Sequence, residues 1–155
     1  MVIKSKEIQK EGGNNFVIKV KKLHPDATVP MYAHPGDAGM DLYSVEDLIL
    51  RPNYRAKIKT GISIELPSGY VSLVWDKSGV SSKGIKVLGG VLDSGYRGEY
   101  IVMLVNLSSE DFEIKKGQKV AQLLIQKVEN PEIEIADELS DTSRGAGGFG
   151  STGLT

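Results

Sequence analysis

Short segments of this chain alternate between apolar and polar side chains. In residues 16–23, Phe16, Ile18 and Val20 alternate with lysines, and in residues 56–66 five side chains of one parity face the same way. A period of two is typical of β-strands with one buried face. Further strands are predicted at 70–75, which follows a Pro-Ser-Gly turn, at 100–107, which is apolar and β-branched enough for a buried strand, and at 132–135.

Residues 119–128 fit two patterns. Val120, Leu123, Leu124 and Val128 follow the i, i+3, i+4, i+8 spacing of a helix, and a strand is equally possible. We favour the strand because turn residues punctuate the surrounding chain about every ten residues. With no long helix predicted elsewhere, the sequence favours an all-β fold, either a compact barrel or a two-sheet jelly roll.

Residues 88–99 combine four glycines with one carboxylate, Asp93, and one ring, Tyr96. Glycine permits positive φ and close backbone approach, so a tight β-hairpin is predicted here. Such a hairpin, with exposed backbone groups beside an acid and a ring, could hold a small planar ligand and act on it. An ordinary hairpin with Asp in its turn is the alternative that this segment alone leaves open.

Composition restricts the function. A chain of 155 residues with 40% hydrophobic and 25% charged side chains is typical of one soluble domain. The net charge of -1 argues against a broad nucleic-acid or membrane surface, and the absence of cysteine excludes disulfides and thiolate chemistry. The apolar runs are too short to span a membrane, and residues 1–15 lack the apolar core of a signal peptide. We therefore expect a cytoplasmic protein.

The tail at 144–153 is rich in glycine but also carries Arg144 and Phe149. It contains a G-x-G-x-x-G match, but no predicted strand precedes it and too few residues follow for the helix of a dinucleotide-binding fold. A disordered end is one interpretation. A closing lid is the other: Phe149 could stack on a base, Arg144 could clamp a phosphate, and the hydroxyls of Ser151 and Thr152 could join the glycine amides around phosphate oxygens.

Five separated stretches resemble, in order, the five motifs of the trimeric dUTPases, and the resemblance covers about residues 16–155. They are Ala-Gly-Met-Asp-Leu at 38–42, Asp-Lys-Ser-Gly at 76–79, Gly-Val-Leu-Asp-Ser-Gly-Tyr-Arg-Gly at 90–98, Gly-Gln-Lys-Val-Ala-Gln-Leu at 117–123 and the tail. The third and fifth are the most specific. A single match is weak, whereas five in the right order and spacing are strong.

This resemblance implies a function and an architecture. Such enzymes hydrolyse dUTP to dUMP and pyrophosphate with Mg²⁺, by attack of water on the α-phosphorus, which limits uracil incorporation into DNA and supplies dUMP for dTMP synthesis. It implies a homotrimer of jelly-roll subunits with shared active sites. We expect a polar extension at 1–15, the barrel at 16–141, and a flexible glycine-rich arm at 142–155 that closes a site of a neighbouring subunit.

The resemblance also implies residue roles. Asp93 would be the general base, since a carboxylate can accept a proton from water at neutral pH. Tyr96 would pack on the deoxyribose and leave no room for a 2'-hydroxyl. The backbone of Gly90, Val91 and Leu92 would read the uracil edge.

Phosphate contacts are implied for a second group of residues, with Mg²⁺ held mainly by triphosphate oxygens and water. Asp41 would either orient those waters or structure the hairpin, and Gln122 would either bind phosphate or brace the hairpin. The remaining implied substrate contacts are Lys77, Ser78, Gly79, Arg144, Phe149, Gly150, Ser151 and Thr152.

Two residues depart from the motif pattern. Lys77 stands where the family has Arg, which replaces paired planar donors by a point charge. Asp76 replaces a proline and adds negative charge near the phosphates unless a cation pairs with it. Arg97 is either an ion-pair partner or a phosphate ligand, and Lys86 is expected to be a solvated charge.

Three other functions are compatible with parts of the sequence. A dCTP deaminase of the same superfamily needs a glutamate where this chain has Val120. A regulatory protein on the same scaffold, without catalysis, would not need Asp93, Tyr96 and the complete tail. A structural jelly-roll module would explain the strands but not the ordered motifs.

Overall fold

The computed structural model describes residues 16–148, in which eleven strands and one four-residue helix are found. The predicted extension at 1–15 lies outside the described residues, as do Phe149 and everything after it. Within 16–148, no helix has the length and apolar character needed to cross a membrane. The elements are β1 Lys19–Lys22, β2 Met40–Tyr43, β3 Leu48–Leu50, β4 Arg55–Lys59, β5 Ile62–Glu65, β6 Tyr70–Trp75, α1 Ser78–Ser81, β7 Ile85–Val87, β8 Val91–Asp93, β9 Ile101–Asn106, β10 Phe112–Ile114 and β11 Lys119–Lys127.

The strands pair antiparallel in four sheets. The largest has the order β2-β11-β6-β8, the next β4-β9-β7, and two further pairs join β1 to β5 and β10 to β3. Their inner faces share one apolar core, in which Tyr100 is the largest fully buried side chain. The all-β, jelly-roll-like architecture confirms the predicted fold class.

The strand β11 resolves the ambiguity in residues 119–128. It pairs with β2 on one side and β6 on the other, so its backbone hydrogen bonds are made between strands and not within a helix. The register with β2 shifts between Lys119 and Ala121, which marks a β-bulge. Consequently Val120 and Ala121 are both buried although they are adjacent, which blurs the period of two in the sequence.

The single strand predicted at 56–66 is wrong, because it is interrupted at Thr60 and Gly61. Gly61 has a φ of 66°, and a Cβ there would lie 2.8 Å from the Cβ of His24. Before this break β4 pairs with β9, and after it β5 pairs with β1. The alternation of apolar side chains continues across the break, so the pattern alone does not reveal the change of partner strand.

The strand predicted at 132–135 is also absent. The side chains of Ile133 and Ile135 are 94% and 96% exposed, and no strand among the described residues follows β11. Alternating isoleucine and glutamate therefore marks an extended, uncovered segment here, because no sheet face is available to bury one side of it.

The hairpin predicted at 88–99 is only half right. The strand β8 pairs with β6, and a turn follows in which the amide of Tyr96 donates to the carbonyl of Asp93 at 3.0 Å. The returning residues do not form a strand. They are held by β5 instead: the hydroxyl of Ser63 donates to the carbonyl of Arg97 at 2.8 Å.

Candidate functional site

The loop after β6 exposes two of the predicted phosphate-binding residues. Ser78 and Gly79 open the short helix α1 and are exposed, and no atom lies within 4 Å of the position that a Cβ on Gly79 would take. The first backbone N–H groups of a helix have no helical acceptor. This loop therefore presents a hydroxyl and free amides on an open surface.

Asp76 faces away from that surface. Its carboxylate accepts a hydrogen bond from the amide of Val87 at 2.7 Å and forms an ion pair with Lys86. Burial opposes ionisation of Asp76, but these partners outweigh it and hold the pKa of the carboxyl below its ordinary value. The charge that replaces the family's proline is thus neutralised, and the expectation that Lys86 is merely solvated is wrong.

Lys77 is held by a buried carboxylate. Its Nζ lies 2.7 Å from Oδ1 of Asp41, and Nζ of Lys119 lies 2.6 Å from Oδ2. Asp41 is 4% exposed; burial opposes its ionisation, but the two lysines outweigh burial and lower its pKa. Both carboxylate oxygens are therefore occupied by ammonium groups. Sequence reasoning missed Lys119 in this cluster, although the residue lies within the fourth matching stretch.

The described residues do not form a protein cage for a metal. No group of three or more His, Asp or Glu side chains among residues 16–148 is arranged to hold one. The lysines on Asp41 favour an ion-pairing role for this carboxylate, which organises the loop after β6 and not the hairpin. An octahedral Mg²⁺ needs oxygen ligands, so most of them would have to come from a ligand or from water.

Gln122 braces the same loop. Its Nε2 donates to the carbonyl of Asp76 at 2.7 Å, so it does not brace the hairpin segment as one interpretation held. Gly39 makes this contact possible, since a Cβ there would lie 2.7 Å from Oε1 of Gln122. The requirement for glycine at 39 was not recognised from the sequence.

Asp93 and Tyr96 lie in a second cluster, on β8 and the turn after it. Both side chains are exposed. The hydroxyl of Tyr96 donates to the carbonyl of Glu99 at 3.0 Å, and the ring lies against Gly98, where a Cβ would collide with it. Glycine at 98 therefore sets the orientation of the Tyr96 ring.

Gly90 brings the start of β8 close to β6. Its carbonyl accepts from the amide of Val74 at 2.8 Å. Its φ is 115°, and a Cβ would lie 2.7 Å from the carbonyl oxygen of Val74. Val91 and Leu92 follow as the first two residues of β8, so the predicted uracil-reading segment is the strand itself.

Arg97 stabilises the turn. Its Nη1 donates to the carbonyls of Ser94 at 2.6 Å and Tyr96 at 2.9 Å, and its Nε lies 4.0 Å from the carboxylate of Glu65. These contacts favour the structural role of the two that the sequence left open.

The two clusters lie towards opposite ends of one strand. Asp93 is the register partner of Val71 near the start of β6, whereas Trp75 at its end pairs with Gln122 and leads into Asp76. Trp75 lies four residue steps beyond Val71, which is about 13 Å at the rise of an antiparallel strand. We call the phosphate loop, residues 76–79 with Asp41 and Gln122, and the β8 turn, residues 90–96, the two half-sites. Gly90, at the start of the β8 turn, lies beside Val74 near the phosphate loop, whereas Asp93 lies towards the other end of β6.

The described part of the tail is exposed. Arg144 closes a local turn, in which its Nε donates to the carbonyl of Gly147 at 3.0 Å. The other predicted tail contacts, Phe149, Gly150, Ser151 and Thr152, lie outside the described residues.

Comparison with known proteins gives one consistent result. The family model for dUTPase matches residues 25–153. A deoxyuridine 5'-triphosphate nucleotidohydrolase of Clostridioides difficile is 48% identical over 142 residues, which cover 90% of this chain and 99% of that protein.

Solved structures agree with this match. A Staphylococcus bacteriophage 80alpha dUTPase variant with dUpNHpp superposes with a TM-score of 0.84 at 31% identity, over 89% of this chain and 99% of that one. A dUTPase variant from phage phi11 of S. aureus, described with a structural Mg(II) ion, gives a TM-score of 0.76 at 29% identity, over 81% of this chain and 99% of that one.

Proposed function

This chain belongs to the dUTPase family, and we propose that its two half-sites combine with those of other copies in a homotrimer with shared active sites. The chain is a dUTP diphosphatase, which hydrolyses dUTP to dUMP and pyrophosphate. The distribution of the site residues along β6 supports the shared arrangement. A general base about 13 Å from the phosphate loop cannot reach an α-phosphorus bound to that loop within the same chain.

The β8 turn would bind the nucleoside. Backbone groups of Gly90, Val91 and Leu92 would pair with the uracil edge, and Tyr96 would cover the deoxyribose. Unpaired polar groups make hydrogen-bond mismatches costly, so such a site disfavours cytosine. The hydrogen bond between Gly90 and Val74 supports this role, because it fixes the backbone at the start of β8 that would meet the base.

Asp93 would act on the attacking water. Its carboxylate is exposed at the end of β8, and it would orient the water and take its proton as the oxygen bonds to the α-phosphorus. The bond from the α-phosphorus to the bridging oxygen breaks, and pyrophosphate leaves with the electron pair. A positioned general base contributes a rate factor of about 10²–10⁴.

The phosphate loop of another subunit would hold the triphosphate. Ser78 and the amide of Gly79 would donate to the phosphates, and Lys77 would add a positive charge whose position is fixed by Asp41. Gln122 would act through the loop, since it already donates to Asp76. When Mg²⁺ is bound on the triphosphate oxygens, it would neutralise charge on the leaving group.

The arm at 142–155 would close the site of a neighbour, with Phe149 on the base and Arg144 on the phosphates, helped by Gly150, Ser151 and Thr152. The exposure of residues 142–148 supports an arm that is available to another chain. Closure would exclude water other than the nucleophile.

Subunit mixing tests the shared site. Asp93→Asn and Ser78→Ala chains would each be inactive alone, and they would be unfolded and refolded together in equal amounts. In an equal random mixture, about one quarter of all sites, which is one site in each mixed trimer, would combine an intact phosphate loop with an intact Asp93, so activity would return. Refolding each variant by itself is the control. An absence of recovery in demonstrably mixed trimers would contradict the proposal.

A further inference from the structure

Two buried hydroxyl groups lie behind β8. Tyr100 is 1% exposed and Ser72 is fully buried. The Oη of Tyr100 lies 2.7 Å from Oγ of Ser72, which in turn lies 3.3 Å from the carbonyl oxygen of Leu92. Buried hydroxyls need partners, and these three groups form a chain that leads from the core to the active-site strand.

The hydrogen-bond chain has one direction. Ser72 has a single hydroxyl proton, and the carbonyl of Leu92 can only accept, so this proton goes to Leu92. Tyr100 must then donate to Ser72. Burial raises the pKa of Tyr100, so its hydroxyl keeps the proton that this arrangement requires.

The hydrogen-bond chain ends at the peptide unit that joins Leu92 to Asp93. The carbonyl of Leu92 and the amide of Asp93 belong to one planar peptide unit. An interaction that fixes the carbonyl therefore fixes the rotation of the whole unit and the direction in which the Asp93 side chain leaves it. Ser72 and Leu92 are also register partners, so the contact spans a single pair of strands.

Tyr100 is itself rigidly held and also supports Tyr96. Its amide donates to the carbonyl of Ile62 at 2.8 Å, and its carbonyl accepts from the hydroxyl of Thr60. Its ring centroid lies 6.2 Å from that of Tyr96, with the planes tilted by 41°. One core residue is thus linked to the Leu92–Asp93 peptide through Ser72 and lies beside the ring of Tyr96.

We propose that Tyr100 is a positioning residue for dUTP hydrolysis: through Ser72 it fixes the Leu92–Asp93 peptide, and its ring supports Tyr96. The inference rests on the proposed role of Asp93 as the base. A displaced base costs turnover more than binding, because substrate affinity comes from contacts elsewhere in the site.

The test compares Tyr100→Phe, Ser72→Ala and the double variant in the full-length protein, with dUTP and Mg²⁺. We expect kcat to fall about tenfold in each single variant, with KM changed by less than about twofold. The double variant should be no slower than either single one, because both changes break the same chain. The backbone ¹⁵N shift of Asp93 should move in both. Ser44→Ala, which removes another buried hydroxyl, should leave kcat and that shift unchanged.

Several outcomes would overturn the inference. A wild-type kcat in Tyr100→Phe, beside an inactive Asp93→Asn, would overturn it while leaving the proposed function intact. Losses that multiply in the double variant, or an equal loss in Ser44→Ala, would also overturn it. Retained turnover in Asp93→Asn would remove the proposed base and this inference together.

Discussion

Lys77 and Asp41 form an ion pair with Nζ 2.7 Å from Oδ1, and it fixes the lysine of the phosphate loop. Lysine lacks the planar fork of arginine and has more rotational freedom. A buried carboxylate, shared with Lys119, compensates by holding the ammonium group in one place. The position of the Lys77 charge in the phosphate loop thus depends on Asp41 of β2.

Asp41→Asn should therefore weaken both stability and substrate binding. It leaves two ammonium groups without their counter-charge, and since both lysines are partly solvated we expect a loss of about 1–3 kcal/mol in the free energy of unfolding. KM for dUTP should rise as Lys77 becomes mobile. Urea unfolding and steady-state kinetics measure the two effects. Glu113→Gln, which breaks the exposed pair with Lys115, is the matched control and should change neither appreciably.

The free energy of unfolding should fall at acid pH because Asp41 and Asp76 become protonated. Burial raises the pKa of both carboxyls, but their partners outweigh it, so both pKa values lie below the ordinary one. Unfolded carboxyls take up protons near pH 3.9, and the folded ones only at lower pH, so the unfolded state binds more protons in this window. The contribution is complete above about pH 4 and is lost as pH falls through the folded pKa. Urea midpoints measured from pH 6 downwards should show this decline, and a double Asp41→Asn, Asp76→Asn variant should show a shallower one.

Asp93→Asn should abolish turnover and keep dUTP binding. The amide is similar in size but cannot take the proton from water, so we expect a loss of about 10²–10⁴-fold or more in kcat. Calorimetric titration with a non-hydrolysable dUTP analogue should give nearly unchanged affinity. Asp111→Asn, at an exposed carboxylate between β9 and β10, is the control. Full activity in Asp93→Asn would show that another group is the base.

Truncation after Asp141 should lower activity by about 100-fold or more without unfolding the barrel. The described residues beyond Asp141 are mostly exposed, so their removal takes little buried surface away. Pyrophosphate release measures activity, and thermal unfolding should give a Tm close to that of the full chain. An unchanged rate would show that the arm is not a lid.

Features that depend on residues close together in the sequence, such as single strands and motifs, could be predicted from the sequence. Residues 70–75 form β6 with the predicted bounds, because a short run of strand-forming residues follows the turn at 67–69, and the motif residues were identified by their type and order. The break at Gly61 was missed because a glycine in an alternating run is compatible with a bulge, a bend or a turn. The exposed segment around Ile133 does not form the predicted strand, because alternation does not reveal whether a sheet is available to cover it.

The arrangement of the site depended on contacts between distant residues. The pairing of Lys119 with Asp41 requires β11 to lie beside β2, which is 78 residues away in the sequence, and that of Lys86 with Asp76 requires the chain to fold back over ten residues. The separation of Asp93 from the phosphate loop follows from the register of β8 on β6, which no local pattern fixes. The sequence therefore identified the chemical groups but not their division into two half-sites.

The outer strands of the four-stranded sheet are short: β2 has four residues and β8 has three. An unpaired strand edge is a template for aggregation, and the number of hydrogen bonds it offers grows with its length. The strand β8 ends in a turn immediately after Asp93, so an intruding strand would find too few backbone partners to remain bound. The edge strand that carries Asp93 thus offers little template for fibril formation.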